Sequence, residues 1–193
     1  HAASDVEWIP KTDTYLFVIP GSGVFEVNRA KQIVWQYRTK FISHDADKLP
    51  NGNVIFVNGW DYANEPIVTE VTQSGDVVKE LRLKDFPLNP SDSSMQEKNF
   101  AHTNSVRLFE DGSMLVSFRN FHTVLLMKDG KEIRRWQNIS NVHDPELRPE
   151  GLIACNHGDS SKKKQFIELL TEDGKRTEVA TVRERSLAPL RSC

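Results

Sequence analysis

A chain of 193 residues with 25 lysines and arginines against 27 aspartates and glutamates carries a formal net charge of -2, without the strong basic excess of a nucleic-acid module. Its hydrophobic fraction of 38% is enough for one sizeable core, yet no stretch approaches the roughly 18 unbroken apolar residues of a membrane helix, so neither nucleic-acid binding nor membrane insertion is expected. The first residues, His1 to Asp5, lack the basic start and apolar block of a signal peptide, but a chain that starts on His rather than Met says nothing about export, and its compartment is left open.

In chain order the sequence divides into units of about 45 residues. The first, about 1–40, holds the hairpin signal Val24-Phe-Glu-Val-Asn-Arg-Ala30-Lys-Gln-Ile-Val-Trp35, with Ala30 where later units carry Gly and Ser4 near the place where they carry His. The second, 41–98, opens on His44-Asp-Ala-Asp-Lys-Leu-Pro-Asn-Gly52-Asn-Val-Ile-Phe-Val57 and continues with Glu70-Val-Thr-Gln-Ser-Gly75-Asp-Val-Val78. Its strands are predicted near 44–49, 53–58, 67–71 and 77–83, followed by a Pro/Ser/Asp-rich insertion over 84–99. The third, 99–141, has His102-Thr-Asn-Ser-Val-Arg-Leu-Phe-Glu-Asp-Gly112-Ser-Met-Leu-Val-Ser117 and then Leu126-Met-Lys-Asp-Gly130-Lys-Glu-Ile133. The fourth, 142–185, has His143-Asp-Pro-Glu-Leu-Arg-Pro-Glu-Gly151-Leu-Ile-Ala-Cys155 and Leu170-Thr-Glu-Asp-Gly174-Lys-Arg-Thr177. Glycine in such turns supplies the positive φ that closes a tight hairpin.

Four short strands per unit, with no sustained helical period, predict an all-β fold: a β-propeller of about four four-stranded blades in one domain over 1–193. A regular sandwich is the other arrangement with short, evenly spaced strands. The segment Arg183 to Cys193 offers no closing strand, so a partial propeller is expected, and its open blade faces would invite self-association. The two cysteines, Cys155 and Cys193, are too few for a disulfide framework, and no bridge to the last residue is expected.

Propeller topology turns this spacing into chemistry. If the first strand of each blade lines the central channel, the loops entering first strands and the loops joining second to third strands share one mouth. The first set carries His44, His102 and His143. The second carries Trp60-Asp-Tyr62, Arg119-Asn-Phe-His122 and Asn156-His157-Gly158. The insertion 84–99 also enters a first strand and is expected to flank the mouth as a lid. Several imidazoles and a guanidinium around one cavity suit an anion or a metal. The plain alternatives are a structural blade-to-blade hydrogen bond for each His, an acid partner for Arg119, and loop packing for Trp60 and Tyr62.

The segments Val24 to Trp35 and His44 to Asn53, together with His102-Thr-Asn104-Ser and Ser117-Phe-Arg119, resemble the arylsulfotransferase (arylsulfate sulfotransferase) family of β-propellers. The resemblance covers most of the chain at the level of repeats, and the His-x-Asn-Ser and Ser-x-Arg pair is its more specific part. It implies transfer of a sulfonate group from an aryl sulfate to a phenol through a sulfated histidine, with no cofactor and with the two aryl compounds as partners. It also implies sulfonate binding by His102 and Arg119, with His44 at the matching position one blade earlier and His143 as the remaining nucleophile candidate. Asn104, Trp60, Tyr62, His122 and His157 are the expected substrate-binding residues, and the aromatics suit stacking on an aryl ring. Bacterial members act outside the cytoplasm, which favours a periplasmic or secreted location. Members typically have six blades, so four units are expected to be a fragment or an incomplete member. Two alternatives stand beside this reading: a zinc enzyme held by His44, His102 and His143, and a non-catalytic scaffold.

Overall fold

The computed structural model describes residues 4–58, 65–93, 101–156 and 165–182. They form four antiparallel sheets of four strands, each in simple sequence order. Blade 1 holds β1 (Asp5–Ile9), β2 (Thr14–Ile19), β3 (Gly23–Asn28) and β4 (Ile33–Arg38). Blade 2 holds β5 (Ile42–Lys48), β6 (Val54–Asn58), β7 (Val68–Val71) and β8 (Val77–Leu81). Blade 3 holds β9 (Thr103–Leu108), β10 (Met114–Phe118), β11 (Thr123–Lys128) and β12 (Lys131–Trp136), and blade 4 holds β13 (His143–Arg148), β14 (Gly151–Asn156), β15 (Gln165–Leu170) and β16 (Arg176–Val182). The sheets stand around one axis as a four-bladed propeller, with β1, β5, β9 and β13 facing the central channel.

The hairpin turns follow their residues, with one shift from the expected pattern. Asp129 and Gly130 both have positive φ, 50° and 72°, the two-residue turn whose twist matches antiparallel strands. In blade 1 the left-handed residue is Lys31 (φ 63°) rather than Ala30. Its N–H donates to Asn28 as the Gly75 N–H donates to Thr72, so Lys31, not Ala30, stands in the glycine position.

Packing explains why β6, in an inner blade, is apolar without alternation. All five residues of β6 are buried, because successive side chains point to opposite faces and both faces meet a neighbouring blade. Val54 and Phe56 join Leu16, Val18, Val24 and Ile42 between blades 1 and 2. Ile55 and Val57 join Val106, Val116, Phe118 and Leu125 between blades 2 and 3. A third cluster, including Leu115, Val124, Ile139 and Leu152, joins blades 3 and 4. Each large aliphatic or aromatic side chain buried this way contributes about 1.5–3 kcal/mol. Among the described residues no such cluster joins blade 4 to blade 1, and Val6 and Trp8 of β1 are more than half exposed.

Hydrogen bonds run from blade to blade at the strand entrances. Ser4 Oγ donates to the His44 carbonyl at 3.0 Å, Ser43 Oγ to the Thr103 carbonyl at 3.1 Å, and Asn104 Nδ2 to the Val142 carbonyl at 2.6 Å. The described part of the 84–99 insertion packs against blade 3. Its Phe86 is buried edge-on against Phe118, with ring centroids 5.0 Å apart, and Arg135 Nη2 donates to the Pro87 carbonyl. This segment therefore braces the end of β10; residues 94–99 lie outside the described residues. Cys155, expected to be unbridged, is buried and disulfide-bonded.

Candidate functional site

Irregularities in the inner strands aim the site residues. The register of β5 against β6 shifts between Ile42 and Ala46, and that of β13 against β14 shifts between His143 and Glu146. His44 and His143 sit at these bulges, where the strand bends and re-aims a side chain. His102 precedes β9 in the left-handed region, φ 50°, a conformation non-glycine residues adopt sparingly. As a result the His44 ring stacks on the His102 ring at 5.6 Å between centroids and meets the His143 ring at 5.9 Å. His102 and His143 are each 6% exposed.

Strand pairing moves the equivalent of His44 in blade 3 by two residues. Lys48 pairs with Val54 as Leu108 pairs with Met114, which makes Asn104, not His102, the structural counterpart of His44. His102 enters the cluster from two residues earlier, through its left-handed turn. Asn104 is buried and directs its amide to the Val142 carbonyl, one residue before His143, so its visible role is to hold the strand that carries His143.

Arg119 begins a short 3₁₀ turn after β10 (Arg119–Phe121). Its backbone N–H donates to the His102 carbonyl at 3.1 Å and its Nη1 lies 3.3 Å from His102 Nε2. A guanidinium only donates, so Nε2 accepts and the His102 proton sits on Nδ1. Burial, reinforced by Arg119 and His44, lowers the His102 pKa to about 3, and this ring is neutral at physiological pH. Arg119 Nε also donates to Asn141 Oδ1 at 3.3 Å. His122, at the end of the 3₁₀ turn with φ 51°, accepts the Asn141 N–H at Nδ1, 3.3 Å; burial and then Arg119 lower its pKa. His143 Nδ1 lies 2.7 Å from the Asn141 carbonyl oxygen. A carbonyl only accepts, so His143 carries its proton on Nδ1 and its lone pair on Nε2.

Below the imidazoles the channel is acidic. Side chains two apart on each inner strand face the same way, which places Asp5 and Glu7, Asp45 and Asp47, Ser105 and Arg107, and Asp144 and Glu146 around a cavity of about 340 Å³. Crowding and burial raise the pKa of several of these carboxyl groups. Desolvation, with nearby carboxylates adding to it, raises Asp5 to about 6 and Asp47 to about 7, and Asp45 is driven well above its ordinary value by the same causes. A gap of about 20 Å³, bordered by His44, Asn104 and His143 on one side and Asp5, Asp45 and Asp144 on the other, separates the two layers.

The structure thus gathers His44, His102, His143, Arg119 and His122 at one end of the channel. Trp60, Tyr62 and His157 lie outside the described residues. Among the described residues no three His, Cys, Asp or Glu side chains are arranged to hold a metal ion, and Arg119 beside His102 favours an anion over a cation. Asn141 is absent from the residues expected from sequence, although an Asn two positions before a site histidine, in a loop, is a residue type suited to left-handed backbone.

A family model described as arylsulfotransferase (ASST) matches residues 25–183. No curated protein matches the sequence. Among solved structures, a protein of unknown function from Bacteroides caccae superposes with a TM-score of 0.70 at 15% identity, covering 98% of this chain and 70% of its own. A virginiamycin B lyase from Staphylococcus aureus, solved with quinupristin, gives 0.60 at 12% identity over 98% of this chain and 57% of its own. An auxiliary nutrient binding protein from Bacteroides ovatus gives 0.56 at 13% identity over 91% of this chain and 41% of its own. At these identities the likeness is one of fold. The chain spans little more than half the length of the lyase and less than half that of the nutrient binding protein.

Proposed function

Because the chain belongs to the arylsulfotransferase family over residues 25–183, we propose that its histidine cluster transfers a sulfonate group from an aryl sulfate to a phenol through a sulfated His143. The observation that supports this most is the meeting of three imidazoles from consecutive blades, 5.6 and 5.9 Å apart, with a guanidinium 3.3 Å from one of them.

In this reading His143 Nε2 uses its lone pair to attack sulfur, an N–S bond forms, and the S–O bond to the aryl group breaks. The His143 ring gains positive charge, which the Asn141 carbonyl stabilises through the Nδ1 proton. Arg119 faces the negative charge spread over the sulfonate oxygens. His102 stays neutral and orients the guanidinium by accepting from Nη1. A proton held on His44 passes to the departing phenolate oxygen. In the second half the acceptor phenol returns a proton to His44, its oxygen attacks sulfur, and the N–S bond breaks to restore neutral His143.

A transfer assay with an aryl sulfate donor, a panel of phenols and no nucleotide tests the reading. Transfer that disappears in His143→Ala while the protein stays folded supports it. No transfer to any phenol, or transfer unchanged in His143→Ala, contradicts it.

A further inference from the structure

Asn141 touches three of the gathered residues at once. Its side-chain oxygen accepts from Arg119 Nε at 3.3 Å, its carbonyl accepts from His143 Nδ1 at 2.7 Å, and its N–H donates to His122 Nδ1 at 3.3 Å. It is only half-buried and its φ of 49° lies in the left-handed region, a backbone that Asn tolerates better than most residues and β-branched side chains least.

We infer that Asn141 is the positioning residue of the site, imposing opposite tautomers on His143 and His122 while aiming the Arg119 guanidinium; as a statement about turnover, this rests on the sulfonate-transfer reading. A ring that donates from Nδ1 to a carbonyl holds its lone pair on Nε2, and a ring that accepts at Nδ1 holds its proton on Nε2. One residue therefore separates the two histidines into one that presents a lone pair at Nε2, His143, and one that presents an N–H hydrogen-bond donor at Nε2, His122. Its side chain fixes where the positive charge of Arg119 lies relative to them. The two backbone arms depend on the left-handed φ, and the third depends on the amide oxygen, so substitutions separate them.

The test uses the full chain in three variants. Asn141→Gly keeps the left-handed backbone and removes only the side-chain acceptor. It should leave both tautomers unchanged, read from imidazole ¹⁵N shifts, raise the donor KM and lower kcat by about 10–100-fold. Asn141→Asp keeps an acceptor at the same place and should restore turnover to within about threefold of wild type, since charge-assisted pairing with Arg119 is at least as strong. Asn141→Val strains the backbone and should shift His143 toward the Nε2–H tautomer. Asn141→Gly with wild-type kcat and donor KM, or wild-type His143 carrying its proton on Nε2, overturns the inference. If wild-type protein transfers no sulfonate, the transfer reading fails alone. The ¹⁵N tautomers then decide the positioning role: Nδ1–H on His143 with Nε2–H on His122, both kept in Asn141→Gly, upholds it, and any other pattern ends it.

Discussion

Arg119 Nη1 and His102 Nε2 lie 3.3 Å apart, and the guanidinium, which has no lone pair to offer, makes the ring the acceptor. This contact and the burial of His102 both oppose its protonation, which is why its pKa falls to about 3. The ring should stay neutral as pH is lowered from 8 to 5, whereas an ordinary imidazole titrates near 6.5. The unfolded chain binds a proton in this window that the folded chain refuses, so the His102 contribution to stability is present above about pH 6.5 and is lost as pH falls toward 3. An NMR titration of the His102 ring checks this. A midpoint near 6.5 in the folded protein would contradict the site as described. Arg119→Ala should raise the His102 pKa only part of the way, because burial is the larger cause.

The channel carboxylates have the opposite sign. Asp47 is raised from 3.8 to about 7, first by burial and then by Glu7, against the pull of Arg107. The folded state keeps a proton that the unfolded state releases, so this contribution is present below about pH 4 and is lost as pH rises through 7. Asp47→Asn cannot ionise. Its stability relative to wild type should therefore grow between pH 5 and pH 8, by on the order of 1 kcal/mol, measured as denaturation midpoints at the two values. An unchanged difference across that range would show that Asp47 is not held protonated in the channel.

Two glycines close blades by contact rather than by turn. A Cβ on Gly151, φ 143°, would stand 2.3 Å from the Leu170 carbonyl oxygen, and one on Gly23, φ 151°, would stand 2.3 Å from that of Tyr37. Both oxygens belong to neighbouring backbone, which cannot rotate aside. Gly151→Ala should cost about 2–4 kcal/mol. Gly112→Ala, at φ 80° with nothing within 4 Å, should cost only the left-handed penalty of about 1–2 kcal/mol. Urea unfolding of the pair separates them, and equal losses would contradict the close approach at Gly151.

What was legible in the sequence follows from what repeats. The propeller and the convergence of His44 with His143 could be read because His-Asp stands at the same distance from a glycine-closed hairpin in both units. The place of His102 could not be fixed that way. A bulge or left-handed turn shifts a strand by a residue or two, and only the pairing of β9 with β10 shows that Asn104 holds the equivalent position. Asp45 and Asp47 belong to the His44 to Asn53 segment, yet their role as channel lining depends on which face of β5 turns inward. Asn141 is not legible from sequence because two of its three contacts run through its backbone, where residue type leaves little trace. Phe86, in a segment whose composition reads as a loop, is anchored by packing on Phe118, a contact between distant parts of the chain.

Covalent sulfation of His143 is the step that distinguishes sulfonate transfer through this cluster from every other use of it. Protein incubated with a sulfur-labelled aryl sulfate in the absence of acceptor, quenched at alkaline pH and digested, should carry the label on the peptide containing His143, and a phenol added before the quench should remove it. Cleavage of the aryl sulfate with label on another residue, or with none at all, would contradict His143 as the nucleophile.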